Sequence, residues 1–202
     1  KGAAVPMKRA YTRGGRPVRV ALAGLPNSGK STLFKTVAST AVHTGELAGT
    51  RRAYNECAVQ IGLDEVRLVD LPSIGSLHDL AHDERVTLQY LLWGDKRPPI
   101  AAHEPGGPPA PFAAPDVIIQ VVDATALARH LEFTLELSQL GRPMVIALNM
   151  MDDAARKGLH INHRRLSKQL GIPVVPTTVV MGLGIMELFS AALTNVRKRS
   201  GP

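Results

Sequence analysis

An eight-residue segment near the start of the chain constrains its fold more than any other feature. Residues 24–31 read Gly-Leu-Pro-Asn-Ser-Gly-Lys-Ser and match the pattern G-x-x-x-x-G-K-[ST] at every defined position. An apolar run at 18–23 precedes the segment, and a helical pattern at 31–37 follows it, as expected of a loop between a buried strand and a helix. Because unpaired N–H groups and the helix dipole favour anions at a helix N-terminus, the segment predicts a phosphate-binding loop.

The side chains of this loop have separate predicted tasks. Lys30 would reach the β and γ phosphates as a point charge, and the Ser31 hydroxyl would ligate the Mg²⁺ that bridges them. The full set of expected phosphate contacts from the loop is Asn27, Ser28, Gly29, Lys30, Ser31 and Thr32. A glycine-rich turn with an incidental lysine is the alternative, and the flanking strand and helix patterns disfavour it.

The chain of 202 residues is long enough for one α/β core, and nothing in it requires two cores. We expect a basic extension at 1–17, a nucleotide-binding domain at 18–196, and an unstructured basic tail at 197–202. The single cysteine, Cys57, excludes an internal disulfide and is interpreted as a buried, inert thiol. No apolar run is long enough to span a membrane, so we expect a soluble chain.

The net charge of +7 is concentrated at the N-terminal end, because residues 1–45 contain eight Lys or Arg and no Asp or Glu. Such an arm can contact nucleic acid or anionic lipid, but a solvated leader is the preferred interpretation, and no nucleic-acid partner is expected. A second unusual segment, 94–115, holds seven of the fifteen prolines. We interpret it as an insert that either couples nucleotide state to a partner or permits exchange of elements between two copies of the chain, which would then be a homo-oligomer.

The polar segment at 38–52 has little hydrophobic periodicity and is predicted to be a loop beside the phosphates. Loops in this position sense the γ-phosphate and complete the Mg²⁺ shell. Thr50 is the preferred ligand, since a threonine offers its hydroxyl to the metal and its backbone to the phosphate. Thr44 is a competitor, and an ordinary surface threonine is an equally good interpretation.

Two strand-like runs, 56–62 and 66–69, predict a hairpin whose second strand ends at Asp70. A carboxylate in that position would orient Mg²⁺ and its waters. Asp70 begins a D-x-x-G position in which Ser73 replaces glycine, so Ser73 would offer its N–H to the γ-phosphate with a more restricted backbone. The segment 75–93 is predicted to be a helix, and His78 and His82 within it are interpreted as solvated rather than as metal ligands.

Alternation of strands and helices resumes after the insert. A β-branched run at 117–123 predicts a central parallel strand, and Leu127, Leu131 and Leu135 predict the buried face of the following helix, which ends at Gly141. The next buried strand, 144–148, leads into Asn149-Met150-Met151-Asp152. The Asp152 carboxylate can accept the N1 and N2 protons of guanine, which adenine does not offer. Asn149 would tie the base-binding loop to the phosphate loop.

The last predicted elements are a helix at 164–170, a strand at 173–176 and a helix at 185–196. The loop between the last two would approach guanine O6 with backbone N–H groups, which requires shape more than particular side chains. The full set of expected guanine contacts is Asn149, Met150, Asp152, Thr178, Val179 and Val180.

These motifs, in this order, resemble the G domain of small GTPases. The segment 115–125, with Asn149-Met150-Met151-Asp152 and the phosphate loop, is similar to the cytosolic G domain of the bacterial ferrous iron transport protein B family over about residues 18–196. Methionine after the asparagine is also what that family tends to carry. Three features depart from the family pattern: Ser73, the absence of Ser-Ala around Val179, and the proline-rich insert.

The resemblance implies a domain that binds GTP and GDP with Mg²⁺, hydrolyses GTP slowly and regulates Fe(II) uptake through a membrane permease outside this chain. It also implies a location on the cytoplasmic side of a bacterial inner membrane. In the family the asparagine matched by Asn27 is implicated in binding K⁺, which with Lys30 would stabilise transition-state charge. No side chain is assigned as general base, because Ile74 stands where other GTPases place a water-orienting glutamine.

We therefore expect a doubly wound α/β fold with a mostly parallel sheet, of the P-loop GTPase type. Two rival functions remain open at this point. One is a nucleotide-binding regulatory module that does not hydrolyse GTP, in which Ser73 has stiffened the switch. The other is a GTPase associated with RNA or the ribosome, with the basic arm as its nucleic-acid contact.

Overall fold

The computed structural model of the chain describes residues 17–39, 49–51, 54–77, 85–93 and 114–200. The predictions for Thr44, for His78 and His82, and for nearly all of the basic extension and the proline-rich insert lie outside these ranges.

A seven-stranded sheet in the order β2-β3-β4-β1-β5-β6-β7 forms the centre of the described residues. The strands β1, β4, β5, β6 and β7 are parallel, and β3 runs antiparallel to both of its neighbours, β4 and the edge strand β2. Their bounds are β1 Val18–Ala23, β2 Gly49–Arg51, β3 Tyr54–Ile61, β4 Asp64–Asp70, β5 Val117–Asp123, β6 Met144–Asn149 and β7 Val174–Pro176. The predicted mostly parallel α/β sheet is confirmed, with β1 between β4 and β5.

Six α-helices accompany this sheet in the part of the chain that the structure describes. Their bounds are α1 Lys30–Ser39, α2 Arg85–Trp93, α3 Leu127–Ser138, α4 Met151–Arg156, α5 His163–Leu170 and α6 Ile185–Ser200. The side chains of β1 alternate between two buried clusters, because successive residues of a strand point to opposite faces. Val20 and Leu22 pack with α1 and α6, whereas Ala21 packs with α2 and α3. Helices on both faces confirm the doubly wound arrangement.

Three local predictions need correction. The helix α1 continues through Ser39, beyond its predicted end at residue 37. The segment predicted to be a loop after it contains the short strand β2. Three residues at the edge of a sheet give no apolar pattern, so the sequence did not predict this strand. The segment 75–77 is not helical, and α2 begins only at Arg85. Residues 197–200, expected to be unstructured, continue α6, and the Arg197 guanidinium lies 2.6 Å from an Asp64 carboxylate oxygen on β4.

The buried face of α3 is also different from the predicted one. Its buried residues are His130, Phe133, Thr134 and Leu137, whereas Leu135 is 58% exposed. The spacing of the leucines predicted the wrong face because two polar residues, His130 and Thr134, lie on the buried face. The Thr134 hydroxyl donates to the His130 carbonyl at 2.9 Å, so burying that hydroxyl leaves no unpaired donor.

Cys57 lies in β3 and is buried, as predicted. Burial, with a smaller contribution from the charge of Glu56, raises the pKa of its thiol to about 11. The thiolate is the reactive form of cysteine, so this residue is chemically inert at neutral pH.

Candidate nucleotide-binding site

The phosphate loop occupies residues 24–29, between the end of β1 and the first residue of α1. Two of its residues take positive φ, Asn27 at 64° and Gly29 at 91°. A Cβ on Gly24 would lie 2.8 Å from the Val121 carbonyl oxygen, so only glycine fits there without displacing β5. The first N–H groups of an α-helix have no partner within the helix, so those of Lys30, Ser31 and Thr32 are available to an anion.

Lys30, Ser31 and Asp70 meet at the carboxyl edge of the sheet. Lys30 Nζ lies 2.5 Å from Asp70 Oδ1, and the Ser31 hydroxyl donates to Asp70 Oδ2 at 3.3 Å. The neighbouring parallel strands β1 and β4 produce this meeting, because Leu22 pairs with Asp70 and both strands end at the same edge. Hydroxyl and carboxylate oxygens are the ligands that Mg²⁺ prefers, so Ser31 and Asp70 fit a magnesium site beside the phosphate loop.

Asn149, the last residue of β6, joins two loops through a buried side chain. Its amide nitrogen donates to the Ser28 carbonyl at 3.0 Å. Its amide oxygen accepts from the Val179 N–H at 3.1 Å and lies 3.4 Å from the Thr177 hydroxyl. The structure therefore holds the phosphate loop and the loop after β7 at a fixed separation. Whether Asn149 also contacts guanine stays a prediction.

Met150 and Asp152 of this motif lie at the start of α4, where the backbone takes a left-handed conformation at Met150. Met150 takes a positive φ of 61° and precedes α4. Its terminal methyl lies 3.8 Å from where a Cβ of Gly29 would stand, so its side chain packs beside the phosphate loop. Asp152 lies in the first turn of α4 with 34% of its side chain exposed, and one of its carboxylate oxygens is 3.5 Å from Arg156. The Asp152 carboxylate, which we expect to bind guanine, is thus accessible to solvent.

The loop after β7 contains a short 3₁₀ turn at Val179–Met181, closed by a bridge between Thr178 and Leu183. Thr178 and Val179 are buried, whereas the Val180 side chain is 78% exposed. The structure brings Val179 to Asn149 and directs the Val180 side chain to the surface, so any contact of Val180 with guanine would come from its backbone.

Two other predicted residues lie in β2 and in the segment after β4. Thr50 pairs with Asn55, and Asn55 pairs with Asp70, which places the Thr50 backbone two strands from Asp70, about 10 Å away at the usual strand spacing. Ser73 is half-buried in the segment between β4 and α2. Their contacts to Mg²⁺ and to the γ-phosphate stay predictions.

The structure shows two residues near the Ser73 segment that sequence reasoning missed. The Thr87 hydroxyl of α2 donates to the Pro72 carbonyl at 2.9 Å. Glu136 of α3 accepts from the Leu77 N–H at 2.6 Å and from the Ser76 hydroxyl at 3.0 Å. The contacting residues are 15 positions apart for Thr87 and 59 to 60 apart for Glu136, too far for a local pattern to indicate, so only the tertiary structure reveals these partners.

Within the described ranges, no group of three or more His, Cys, Asp or Glu side chains could hold a metal ion. In the same residues, no helix is both long and apolar enough to cross a membrane.

A phosphate loop, an aspartate at the end of the adjacent strand and an N-x-x-D motif at the end of β6 together define the G domain of a P-loop GTPase. The sequence profile of the family described as ferrous iron transport protein B matches residues 18–101 and 112–192. The chain belongs to this family.

Individual relatives agree with this assignment. The chain is 34% identical over 180 residues to an Fe(2+) transport protein A/Fe(2+) transporter FeoB fusion protein of Porphyromonas gingivalis, an alignment that covers 89% of this chain and 19% of the relative. The chain thus spans about a fifth of that relative's length.

Solved structures show the same fold. The FeoB G-domain of Methanococcus jannaschii is 31% identical with a TM-score of 0.68, and the match covers 90% of this chain and 98% of that one. NFeoB of S. thermophilus bound to GDP.AlF4- and K+ is 32% identical with a TM-score of 0.67, and the match covers 87% of this chain and 61% of that one.

Proposed function

We propose that this chain binds GTP and GDP with Mg²⁺, hydrolyses GTP slowly and acts as a nucleotide-dependent switch. The observation that carries the proposal is the buried Asn149 side chain, which joins the phosphate loop at Ser28 to the loop at Val179. This bridge sets the distance between a site for phosphates and a site for a base, as the recognition of one nucleotide requires.

The phosphates would lie on the loop and the first turn of α1, where N–H groups converge and Lys30 supplies a positive charge. Ser31 and Asp70 would hold Mg²⁺, with Thr50 as the third predicted ligand. Bound there, Mg²⁺ would supply positive charge that stabilises the negative charge of the phosphates. When phosphate enters, Lys30 exchanges its contact with Asp70 for contacts with phosphate oxygens, and Ser73 would offer its N–H to the γ-phosphate.

The base would lie between Met150 and the loop at 178–180. The Asp152 carboxylate would accept the N1 and N2 protons of guanine, and the backbone of Thr178, Val179 and Val180 would approach O6. Arg156 does not block this role, because its guanidinium also contacts Asp153 and its side chain is 71% exposed.

K⁺ is the proposed source of additional positive charge during hydrolysis. Asn27 lies in the phosphate loop, is exposed and takes a φ of 64°. The S. thermophilus relative was solved with GDP.AlF4- and K+. Asn27 would ligate the ion beside the γ-phosphate, and with Lys30 it would stabilise charge in the transition state.

For the longer protein we propose regulation of Fe(II) uptake through a membrane permease, with this domain on the cytoplasmic side. The fusion protein of P. gingivalis, of which the chain spans about a fifth, carries Fe(2+) transport in its name. That partner lies outside this chain.

The test is GTP hydrolysis by the purified protein in KCl and in NaCl at equal ionic strength, with GDP affinity measured alongside. We expect faster turnover in KCl. Asn27→Gly should remove the difference between the salts, because glycine keeps the positive φ while deleting the amide. Equal rates in both salts would refute the K⁺ site. Tight GDP binding without turnover in either salt would establish a non-hydrolysing module and direct attention to Ser73.

A further inference from the structure

Glu136 of α3 holds the segment that follows Asp70 and Ser73. One carboxylate oxygen accepts from the Leu77 N–H at 2.6 Å, and the two oxygens lie 3.0 and 3.1 Å from the Ser76 hydroxyl. Hydrogen bonds to a charged acceptor are stronger than those between neutral groups. The carboxylate therefore anchors the segment to α3, whose residues Phe133 and Leu137 are buried against the sheet.

The same segment is anchored at other points along its length. The side chains of Leu71 and Ile74 are buried at 1% and 0% exposure, and the Thr87 hydroxyl donates to the Pro72 carbonyl. Asp70 at its start contacts Lys30 and Ser31. Ser73 thus lies between fixed points on both sides, and its backbone has little freedom to move alone.

We propose that Glu136 is a positioning residue for recognition of the γ-phosphate. By holding Ser76 and Leu77 against α3, it keeps the Ser73 N–H where a nucleoside triphosphate needs it. This inference rests on the proposed function, in which Ser73 offers that N–H to the γ-phosphate. Preorganised donors contribute more to binding than donors that must first be ordered, so loss of the anchor weakens this one contact.

The nucleotide itself provides the discriminating measurement. GDP has no γ-phosphate, so a residue that acts only through the Ser73 segment affects a triphosphate and leaves GDP binding unchanged. A residue that merely stabilises the fold affects both nucleotides alike. The ratio of the two affinities therefore separates positioning from stability.

The variants are Glu136→Ala, Glu136→Gln and, as matched control, Glu132→Ala. Glu132 lies one turn earlier on α3 with an exposed side chain, so its substitution removes the same charge from the same helix. Binding of GDP and of a non-hydrolysable GTP analogue is measured for each variant and for the unmutated protein, with Mg²⁺ present.

We expect Glu136→Ala to weaken binding of the GTP analogue about tenfold and binding of GDP less than about twofold, since a charge-assisted hydrogen bond that holds the Ser73 segment is lost. Glu136→Gln, which keeps an oxygen acceptor, should recover most of the affinity, and Glu132→Ala should match the unmutated protein. Ser76→Ala should weaken binding of the analogue less than Glu136→Ala does. In the double variant, Ser76→Ala should add little to the loss of affinity caused by Glu136→Ala.

The positioning role would be overturned if Glu136→Ala weakened binding of both nucleotides equally, changed neither affinity, or tightened binding of the analogue. If the unmutated protein itself binds neither nucleotide, the proposed function fails and the inference fails with it. If the unmutated protein binds both but Glu136→Ala leaves their ratio unchanged, only the inference fails.

Discussion

The Lys30 ammonium lies 2.5 Å from a carboxylate oxygen of Asp70, and the two side chains are only 4% and 6% exposed. Both groups have separate predicted tasks when nucleotide is bound, Lys30 at the phosphates and Asp70 at Mg²⁺. If the proposed roles hold, nucleotide binding replaces this buried ion pair. In the structure the pair compensates both charges.

Removing one member of this pair should affect both stability and binding. We expect Lys30→Met to lower the free energy of unfolding by about 3 kcal/mol, because Asp70 is left as an uncompensated buried charge. Nucleotide affinity should fall by roughly a hundredfold or more as the phosphate contact is lost. Urea denaturation and equilibrium binding measure the two effects.

The double variant Lys30→Met/Asp70→Leu separates these effects. Replacing a buried ion pair by apolar residues is often neutral for stability, so stability should recover while nucleotide affinity stays low. A double variant as unstable as the single one would show that the buried charge was not the cause.

Asp152 and its neighbour Asp153 offer a matched test of guanine recognition. Both carboxylates contact Arg156 from the first turn of α4. Asp152→Ala should weaken GTP binding on the order of a hundredfold, since two charge-assisted hydrogen bonds are lost, and should change ATP binding little. Asp153→Ala should leave both affinities unchanged. Competition binding with GTP and ATP measures this, and equal binding of GTP and ATP by the unmutated protein would refute the assignment.

Gly29 shows why the loop and Asn149 depend on each other. A Cβ at this position would collide with the Asn149 amide nitrogen, and the φ of 91° is one that other residues rarely adopt. Gly29→Ala should therefore weaken nucleotide binding at least about tenfold, because the Asn149 bridge must shift. Gly171→Ala is the control, as it also has positive φ (66°) but open space around it. That variant should lose about 1 kcal/mol of stability and bind nucleotide normally; similar binding losses in both would argue against the collision.

His130 should make stability depend on pH. Its side chain is 3% exposed. Burial lowers its pKa below the usual 6.5. The charge of Asp123 partly offsets this lowering of the pKa, and the charge of Arg129 adds to it. The unfolded chain therefore binds a proton at higher pH than the folded one, so the free energy of unfolding should fall as pH drops through about 6.5 and level off below the folded pKa.

His130→Leu should flatten this dependence in urea denaturation between pH 5 and 7.5, relative to the unmutated protein. The exposed His160 provides a control, and His160→Gln should keep the original pH profile. An unchanged profile in His130→Leu would assign the pH dependence to other groups.

Much of the site follows from patterns within a few residues. The strand-loop-helix around Lys30 was predicted because an apolar run, glycines and a helical pattern stand next to one another in the chain. Asp70 and Asn149 were predicted from their place at the ends of apolar runs. The buried face of α3 was not, because His130 and Thr134 replace apolar residues on its inner side and only packing shows which side is inner.

The sequence by itself determined six of the seven strands, the phosphate loop, the N-x-x-D motif and the resemblance to a family, since all of these are encoded by residue types at short spacing. The predicted link of Asn149 between the two loops is confirmed, but the tertiary structure alone decided that its partners are Ser28 and Val179. It alone also decided that Lys30 pairs with Asp70 and that Glu136 anchors Ser76 and Leu77. The physical reason is the order of the strands. Parallel neighbours far apart in the chain end at one edge of the sheet, and the contacts made there depend on which strands become neighbours.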